Sequence, residues 1–219
     1  MPTVAQNLKE IKETIPDYKG RIIAVTKYVD ESRMIEAYEA GLRDFGENKA
    51  QDALLKLENL PKEMVQNSTW HFIGHLQSNK VRKVVGKFDY IHSVDTPELA
   101  KKISDVAKEI GIVQKVLIEV NISQEKTKFG TSETEIEEIF KNAKNLDGIS
   151  IVGLMTMAPH TPNEVFLKKV FTNLYDLSYN LQRRYHIELK ELSMGMSSDY
   201  EIAAQSGSTM IRLGQRLFR

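Results

Sequence analysis

Short apolar runs alternate with amphipathic segments along the whole chain, a pattern typical of strands that are each followed by a helix. The first run is RIIAVTK at 21–27, and it precedes a helical segment, 31–41, that ends at Gly41. Seven further runs predict strands: RDFGEN (43–48), STWHFIG (68–74), YIHSVD (90–95), VLIEVNIS (116–123), SIVGLMTM (150–157), ELKELSM (188–194) and TMIRLG (209–214). The sequence thus predicts eight strands.

Helical periodicity occupies the segments between these strands. Two capping boxes mark helix starts, because a Ser and a Glu three residues later accept hydrogen bonds from backbone N–H groups that have no partner within the helix. One box is Ser132 with Glu135, and the other is Ser198 with Glu201. The other predicted helices cover 4–15, 48–60, 78–88, 96–111 and 163–185.

This order of elements favours a (β/α)8 barrel of the TIM type, in which strands recur about every 20–35 residues. The alternative is an open, doubly wound sheet, which usually carries a glycine-rich turn after its first strand. Here that turn reads TKYVD, without glycine. We therefore predict one barrel domain over residues 1–219, with an extra helix before the first strand.

Composition narrows the chemistry. The 30 Lys and Arg residues balance the 30 Asp and Glu residues, so net charge provides no general attraction to nucleic acid or to an anionic membrane. The absence of cysteine excludes disulfides, thiolate metal sites and a cysteine nucleophile. The amino terminus lacks the pattern of a signal peptide, and no apolar run approaches the roughly 20 residues of a membrane span. We expect a cytoplasmic protein without nucleic-acid or membrane partners.

Lys27 directly follows the apolar residues of the first strand. In a (β/α)8 barrel the reactive groups lie at the carboxyl ends of the strands. If the stem of Lys27 is buried there, desolvation disfavours its ammonium form, and the neutral amine is the form that makes a Schiff base. If the side chain instead emerges into water, Lys27 is an ordinary surface lysine. The spacing alone leaves both interpretations open.

Two segments follow the seventh and eighth strands, where barrels often bind phosphate. They are SMGMSSDYE (193–201) and RLGQ (212–215). Ser197 supplies a hydroxyl group, while Gly214 and Gln215 supply backbone N–H groups, which are suitable donors for a phosphate. The sequence therefore predicts a phosphate pocket opposite Lys27.

Arg212 stands between the apolar Ile211 and Leu213 in the last predicted strand. Because side chains alternate between the two faces of a strand, the side chain of Arg212 is expected to point into the barrel. A buried arginine is costly unless an anion or hydrogen-bond acceptors compensate it. Arg212 is therefore a candidate for ligand contact, although a purely structural role stays open.

His71 and His75 are four residues apart, which is the spacing of paired metal ligands on a helix. They flank a strand end and Gly74, so their rings are not expected to share a face. No third ligand accompanies them in the sequence. We predict no metal site.

Five segments then suggest a family: AVTK (24–27), GEN (46–48), WHFIGHLQSNK (70–80), GLMTMAP (153–159) and LSMGMSSDYEIAAQSGSTMIRLG (192–214). They closely resemble segments of the pyridoxal phosphate homeostasis proteins, which are single-domain relatives of the alanine racemase barrel. The resemblance extends over nearly the whole chain in the expected order. HLQSNK and SMGMSSD are its most specific parts.

The resemblance implies that pyridoxal 5′-phosphate (PLP) is bound as a Schiff base on Lys27. It also implies that Arg212 faces the pyridine nitrogen and that Asn48 lies beside the cofactor. An arginine at this nitrogen cannot accept a proton, so the ring is a weaker electron sink than one kept cationic by an acidic partner. Racemases of the related barrel carry such an arginine as well, so this feature alone does not exclude catalysis.

The same resemblance assigns the phosphate to Ser197 and to the backbone of Gly214 and Gln215. It implies a role in intracellular PLP homeostasis without catalytic turnover, with apo PLP-dependent enzymes as expected recipients. The alternative is a PLP-dependent amino-acid racemase. A third possibility is a cofactor-free aldolase that uses Lys27 directly on a substrate carbonyl.

The length argues against the racemase. The sequence ends at Arg219, just after the eighth predicted strand. Racemases of this barrel type carry a second, carboxyl-terminal β domain that helps to close the site and supplies a catalytic tyrosine, and we expect this chain to lack it. Without that domain a monomer is also expected.

Overall fold

The computed structural model describes residues 2–123, 130–131, 133–142 and 145–219. Among these residues, eight parallel strands pair in chain order, and the first also pairs with the eighth, so that the sheet closes. The strands are β1 (Arg21–Val25), β2 (Asp44–Glu47), β3 (Thr69–Phe72), β4 (Tyr90–Val94), β5 (Gln114–Glu119), β6 (Ile149–Met155), β7 (Glu191–Met196) and β8 (Met210–Leu213). The predicted (β/α)8 barrel is confirmed. The open sheet is wrong, because it would leave β1 and β8 unpaired with each other.

Helices surround the barrel. Within the described ranges they are α1 (Val4–Thr14), α2 (Glu31–Glu39), α3 (Ala50–Asn59), α4 (Lys62–Gln66), α5 (Val81–Val84), α6 (Pro97–Glu109), α7 (Glu133–Asn142), α8 (Glu164–Tyr185), α9 (Tyr200–Gln205) and α10 (Gln215–Phe218). The predicted extra helix is α1, and it is joined to α10 because Asn7 Nδ2 donates to the carbonyl of Leu217 at 2.9 Å. None of the helices described is long and apolar enough to cross a membrane.

The apolar residues form two clusters. The larger one fills the space between the barrel and its helices. The smaller one lies inside the barrel and consists of Ile23, Tyr90, Leu117, Met155 and Met210. Because side chains alternate along a strand, Arg212, two residues after Met210, also faces the interior. The fold thus directs a cation into the carboxyl half of the barrel.

The two predicted capping boxes have different outcomes. Ser198 does not cap α9, whose N-cap is Asp199. The carboxylate of Asp199 accepts a hydrogen bond from the backbone N–H of Met196 at 2.6 Å and so closes the loop after β7. The predicted box of Ser198 with Glu201 is therefore wrong. Ser132, of the other predicted box, lies outside the described residues.

The seventh strand lies further along the chain than its apolar pattern predicts. The prediction covers 188–194, whereas β7 ends at Met196. Gly195 lies in this strand with a φ of +94°, a conformation that other residues rarely adopt, and a Cβ added there would lie 2.5 Å from the Cβ of Ala203. The glycine thus lets the strand continue, with a register shift against β8, up to the loop that carries Ser197.

The helix predicted over 78–88 is also shorter than expected. Residues 78–80 form a 3₁₀ turn, and α5 ends at Val84. Gly86 then adopts a φ of +74°, which reverses the chain toward β4.

Candidate functional site

All six residues predicted to bind the cofactor lie at or just beyond the carboxyl ends of four strands that are consecutive in the barrel: β7, β8, β1 and β2. These residues are Lys27, Asn48, Ser197, Arg212, Gly214 and Gln215. Loops at the carboxyl ends of neighbouring parallel strands meet at one end of a barrel. The structure therefore brings the six residues to the same edge.

Lys27 lies in the turn after β1 and is exposed to solvent. Its Nζ lies 4.9 Å from the ring centroid of Tyr28, which is itself 86% exposed. Of the two interpretations that the spacing left open, the structure therefore supports the solvent-exposed one, because β1 ends two residues earlier and Lys27 lies in the turn. The amine is exposed to solvent just beyond the carboxyl end of β1.

The residue before Lys27 is held firmly. Thr26 is fully buried, and its hydroxyl donates to Glu47 Oε1 at 2.7 Å. Lys56 Nζ, from α3, donates to the same carboxylate oxygen at 2.9 Å and to the Thr26 carbonyl at 2.8 Å. The backbone N–H of Thr26 donates to Gly46. A buried ion pair thus fixes the base of the turn from which Lys27 projects.

Arg212 points into the barrel, as its alternation predicts, and is 5% exposed. Its guanidinium donates to Ser193 Oγ at 2.6 Å and to the Thr156 carbonyl at 3.0 Å. Burial lowers the pKa of Arg212 to about 10, against the opposing charges of Asp199 and Glu119. At neutral pH the group is therefore still a cation, and its two hydrogen bonds are to neutral acceptors.

The loops after β7 and β8 are joined at Ser197. Its Oγ accepts a hydrogen bond from the backbone N–H of Arg216 at 3.2 Å. Gly214 and Gln215 precede Arg216, and the first N–H groups of a helix have no acceptor within the helix. Hydroxyl and amide donors from two neighbouring loops therefore lie together at the barrel edge.

Asn48 follows β2 and is half-buried. Gly74, in the loop after β3, lies against its backbone, since a Cβ added at Gly74 would be 2.2 Å from the carbonyl oxygen of Asn48. The close approach of these two loops sets the position of Asn48 beside the barrel mouth.

Glu119 is a polar group that the sequence pattern did not single out. It ends β5, is 2% exposed, and its Oε1 is buried without a hydrogen-bond partner among the described residues. Burial and the charge of Asp95 together raise the pKa of Glu119 to about 7, against the opposing charge of Arg212. An acidic group that is half-protonated near neutral pH thus lies within electrostatic reach of Arg212.

His71 and His75 have different surroundings. His71 is fully buried inside the barrel and contacts His92 and Asp44. His75 lies outside the strand, and its Nδ1 is 3.6 Å from Asp95. The four-residue spacing therefore does not build a shared site. The described residues contain no group of three or more His, Asp or Glu side chains placed to hold a metal ion.

Sequence reasoning missed the roles of Thr26, Lys56, His92 and Glu119. His92 carried one usable signal, because it alternates with Ile91 in a predicted strand and so faces the interior with Tyr90. The contact of Lys56 with Glu47 carried none, since helix α3 must first pack on the outside of β2.

Comparisons with known proteins identify the family and agree with the fold. The sequence profile described as alanine racemase, N-terminal domain, matches residues 1–219. The pyridoxal phosphate homeostasis protein of Aquifex aeolicus is 40% identical over 199 residues, which are 91% of this chain and 86% of the relative. The solved structure of PipY from Synechococcus elongatus with PLP bound has a TM-score of 0.88 at 35% identity, covering 99% of this chain and 100% of PipY.

Likeness to a racemase is weaker. An alanine racemase of Clostridium difficile has a TM-score of 0.80, but only 16% of residues are identical and this chain covers 56% of the racemase. That likeness shows a shared fold. The profile match and the identity to relatives that this chain covers over most of their length confirm the resemblance to the homeostasis proteins. The chain therefore belongs to the pyridoxal phosphate homeostasis protein family, and its barrel is that of the alanine racemase N-terminal domain.

Proposed function

We propose that this protein binds PLP reversibly as a Schiff base on Lys27 and serves PLP homeostasis in the cell. Relatives that match along nearly their whole length are named for that role, and PipY has been solved with PLP bound. The observation in this chain that carries the proposal is the buried Arg212 guanidinium, held at the barrel edge where Lys27 and the loops after β7 and β8 converge.

The donor set fits PLP. The cofactor supplies an aldehyde that condenses with amines, a phosphate dianion and a ring nitrogen. Lys27 offers an accessible amine, and Ser197 with the backbone of Gly214 and Gln215 offers the hydroxyl and N–H donors that a phosphate needs. Among the described residues, the hydrogen bonds of Arg212 use two of its five N–H donors, so the guanidinium retains donors for the ring nitrogen.

Asn48 completes the proposed pocket. It lies at the carboxyl end of β2, next to the turn of Lys27, because β1 and β2 are neighbours in the sheet. Its amide can donate and accept hydrogen bonds, so it suits a position beside the polar edge of the cofactor ring.

We propose a carrier or regulator without turnover. Arg212 is cationic at neutral pH and only donates hydrogen bonds, so it does not supply a proton acceptor that would keep the ring cationic. The exposed side chains of Lys27 and Tyr28 leave the mouth open to water, which favours release of a bound aldehyde. Incubation with alanine in deuterated water tests the racemase alternative: steady entry of deuterium at the α carbon would favour an enzyme.

The first experiment is the absorbance spectrum with and without borohydride. Wild-type protein with PLP is expected to show a visible band that borohydride abolishes, and peptide mass mapping is expected to find the reduced adduct on Lys27. Lys27→Ala is expected to lose both. The control is Lys49→Ala, another lysine near the mouth, which is ion-paired with Asp52 and expected to keep both signals.

The outcomes separate the hypotheses. A wild-type protein without the band contradicts the proposal and leaves the cofactor-free aldolase. An adduct that persists in Lys27→Ala shows that another amine carries PLP, which also contradicts it.

We further propose that residues 1–219 act as one domain, that the protein is a cytoplasmic monomer, and that apo PLP-dependent enzymes are its recipients. The open mouth supports the last point, because a bound aldehyde can be reached from outside. Sedimentation of the purified protein tests the monomer, and activation of an apo-enzyme by the PLP-loaded protein tests delivery.

A further inference from the structure

Five hydrogen-bonded side chains form an interior network, which extends through the barrel from Arg212 to the amino ends of the strands. Arg212 donates to Ser193 Oγ at 2.6 Å, and Ser193 Oγ lies 2.9 Å from His92 Nδ1. His92 Nε2 lies 2.9 Å from His71 Nδ1, and His71 Nε2 lies 3.0 Å from Asp44 Oδ1. The five residues come from β8, β7, β4, β3 and β2, so the interior network crosses the barrel.

His71 and His92, the two histidines of this interior network, are neutral. Both are fully buried. Burial lowers the pKa of His71, although Asp44 opposes the shift. It lowers the pKa of His92 well below its ordinary value, and the nearby positive charge of Arg212 acts in the same direction. Each ring therefore has one N–H donor and one acceptor nitrogen.

Neutral rings leave a single direction for the hydrogen bonds. The carboxylate of Asp44 only accepts, so His71 carries its proton on Nε2. The Nδ1 of His71 is then an acceptor, and His92 must donate from its own Nε2. The remaining acceptor, His92 Nδ1, takes the hydroxyl proton of Ser193. The lone pairs of Ser193 Oγ are thereby left for Arg212, which only donates.

We propose that Ser193 and His92 are positioning residues that hold the Arg212 guanidinium in one orientation toward the ring nitrogen of bound PLP. This inference rests on the proposed function. A serine hydroxyl rotates freely unless an acceptor fixes its proton. With His92 in place, Ser193 always presents a lone pair to Arg212. Together with the Thr156 carbonyl, it anchors two of the guanidinium nitrogens and leaves the rest directed elsewhere.

Asp44, at the end of the interior network opposite Arg212, is anchored at the amino end of the barrel. Asp44 Oδ1 lies 3.9 Å from Nη1 of Arg21, and Nη2 of the same arginine lies 3.3 Å from Glu191 Oε1. This ion-pair cluster is partly exposed to water. It fixes the tautomer of His71, and through His71 that of His92.

Three variants test the proposal by PLP binding and by the spectrum of the bound cofactor. Ser193→Ala removes the acceptor of Arg212, and His92→Phe removes the acceptor of the Ser193 proton. We expect both to raise the PLP dissociation constant about tenfold, as for loss of a hydrogen bond to a charged group, and to shift the visible band. His92→Asn places an amide oxygen near the position of Nδ1 and is expected to restore most of the affinity and the band position.

Met210→Ala is the matched control. Met210 lies in β8, two residues before Arg212, and is fully buried inside the barrel, but it is not a member of the interior network. We expect it to lower the melting temperature while the band position stays that of the wild type. If Met210→Ala shifts the band as Ser193→Ala does, the effect reflects general loss of packing and the proposal is overturned.

A second measurement needs no PLP. Nitrogen-15 NMR of the apoprotein is expected to show that His71 and His92 are both neutral and protonated on Nε2. A proton on Nδ1 of either ring would contradict the inferred direction of the hydrogen bonds and overturn the proposal. If the wild type forms the Lys27 adduct but Ser193→Ala and His92→Phe keep wild-type affinity and spectrum, only this inference fails. If the wild type forms no adduct, the proposed function fails and this inference fails with it.

Discussion

Replacing Glu47 with alanine is expected to destabilise the protein by about 3 kcal/mol. The carboxylate is almost fully buried and accepts hydrogen bonds from Thr26 and from Lys56. Its removal takes away the acceptor of the Thr26 hydroxyl and leaves the Lys56 ammonium, still bonded to the Thr26 carbonyl, without its counter-charge. Removing one member of a buried ion pair commonly costs about 3–5 kcal/mol. We expect the lower end, because the Lys56 side chain is 16% exposed and water can solvate part of it. Urea denaturation at neutral pH measures the change.

Matched variants separate the charge from the packing. Glu47→Gln keeps an oxygen acceptor for Thr26 but loses the negative charge, and we expect a smaller loss than for alanine. Glu47→Gln combined with Lys56→Met removes both charges and is expected to recover stability relative to Glu47→Gln alone. Additive effects of the two substitutions would contradict a coupled ion pair.

The same variants connect the ion pair to the cofactor site. Thr26 precedes Lys27, and its backbone and hydroxyl are both held by this cluster. We expect Glu47→Ala to weaken PLP binding at temperatures where the variant is still folded. Unchanged PLP affinity would show that the turn carrying Lys27 does not depend on the cluster.

The parts of the molecule that could be read from the sequence are those set by local periodicity. Arg212 could be directed into the barrel because alternation with Ile211 and Leu213 fixes its face once β8 is recognised. The loop after β7 was harder. Ser198 and Asp199 both suit an N-cap, and the choice depends on whether Asp199 also reaches the Met196 N–H, which only the three-dimensional loop decides.

Other features depend on contacts between distant segments. His92 and Ser193 are 101 residues apart and meet only because the barrel closes with a particular register. Glu119 is buried because other elements pack around it, and the pattern of residues in β5 alone does not predict how deeply it is buried. The exposure of Lys27, which its spacing left undecided, follows from a strand that ends two residues before it.

Glu119 gives the second large effect, and this one depends on pH. Burial and the charge of Asp95 raise the pKa of Glu119 from 4.5 to about 7 in the folded protein. Below pH 4.5 the carboxyl is protonated whether the chain is folded or unfolded, so the stability it contributes is fully present. As the pH rises toward 7, the unfolded chain releases this proton first, and stability is lost through the folded pKa.

Glu119→Gln removes this titration and keeps the shape of the side chain. Because one pKa unit corresponds to about 1.4 kcal/mol, the cost of ionising buried Glu119 reaches about 3 kcal/mol above neutral pH. We therefore expect the variant to be more stable than the wild type by about 3 kcal/mol at pH 8 and to be nearly equal to it at pH 4. Urea unfolding of both proteins across this range measures the difference, in which the other titrating groups cancel.

Asp95 provides the control for cause. Its negative charge is one reason for the raised pKa of Glu119. In the Asp95→Asn background we expect Glu119→Gln to stabilise less at pH 8, with the pH-dependent change centred lower than in the wild-type background. A difference between wild type and Glu119→Gln that stays constant from pH 4 to pH 8 would mean that Glu119 ionises equally easily in the folded and unfolded protein. The buried carboxyl near Arg212 would then have found a partner or water that relieves its desolvation.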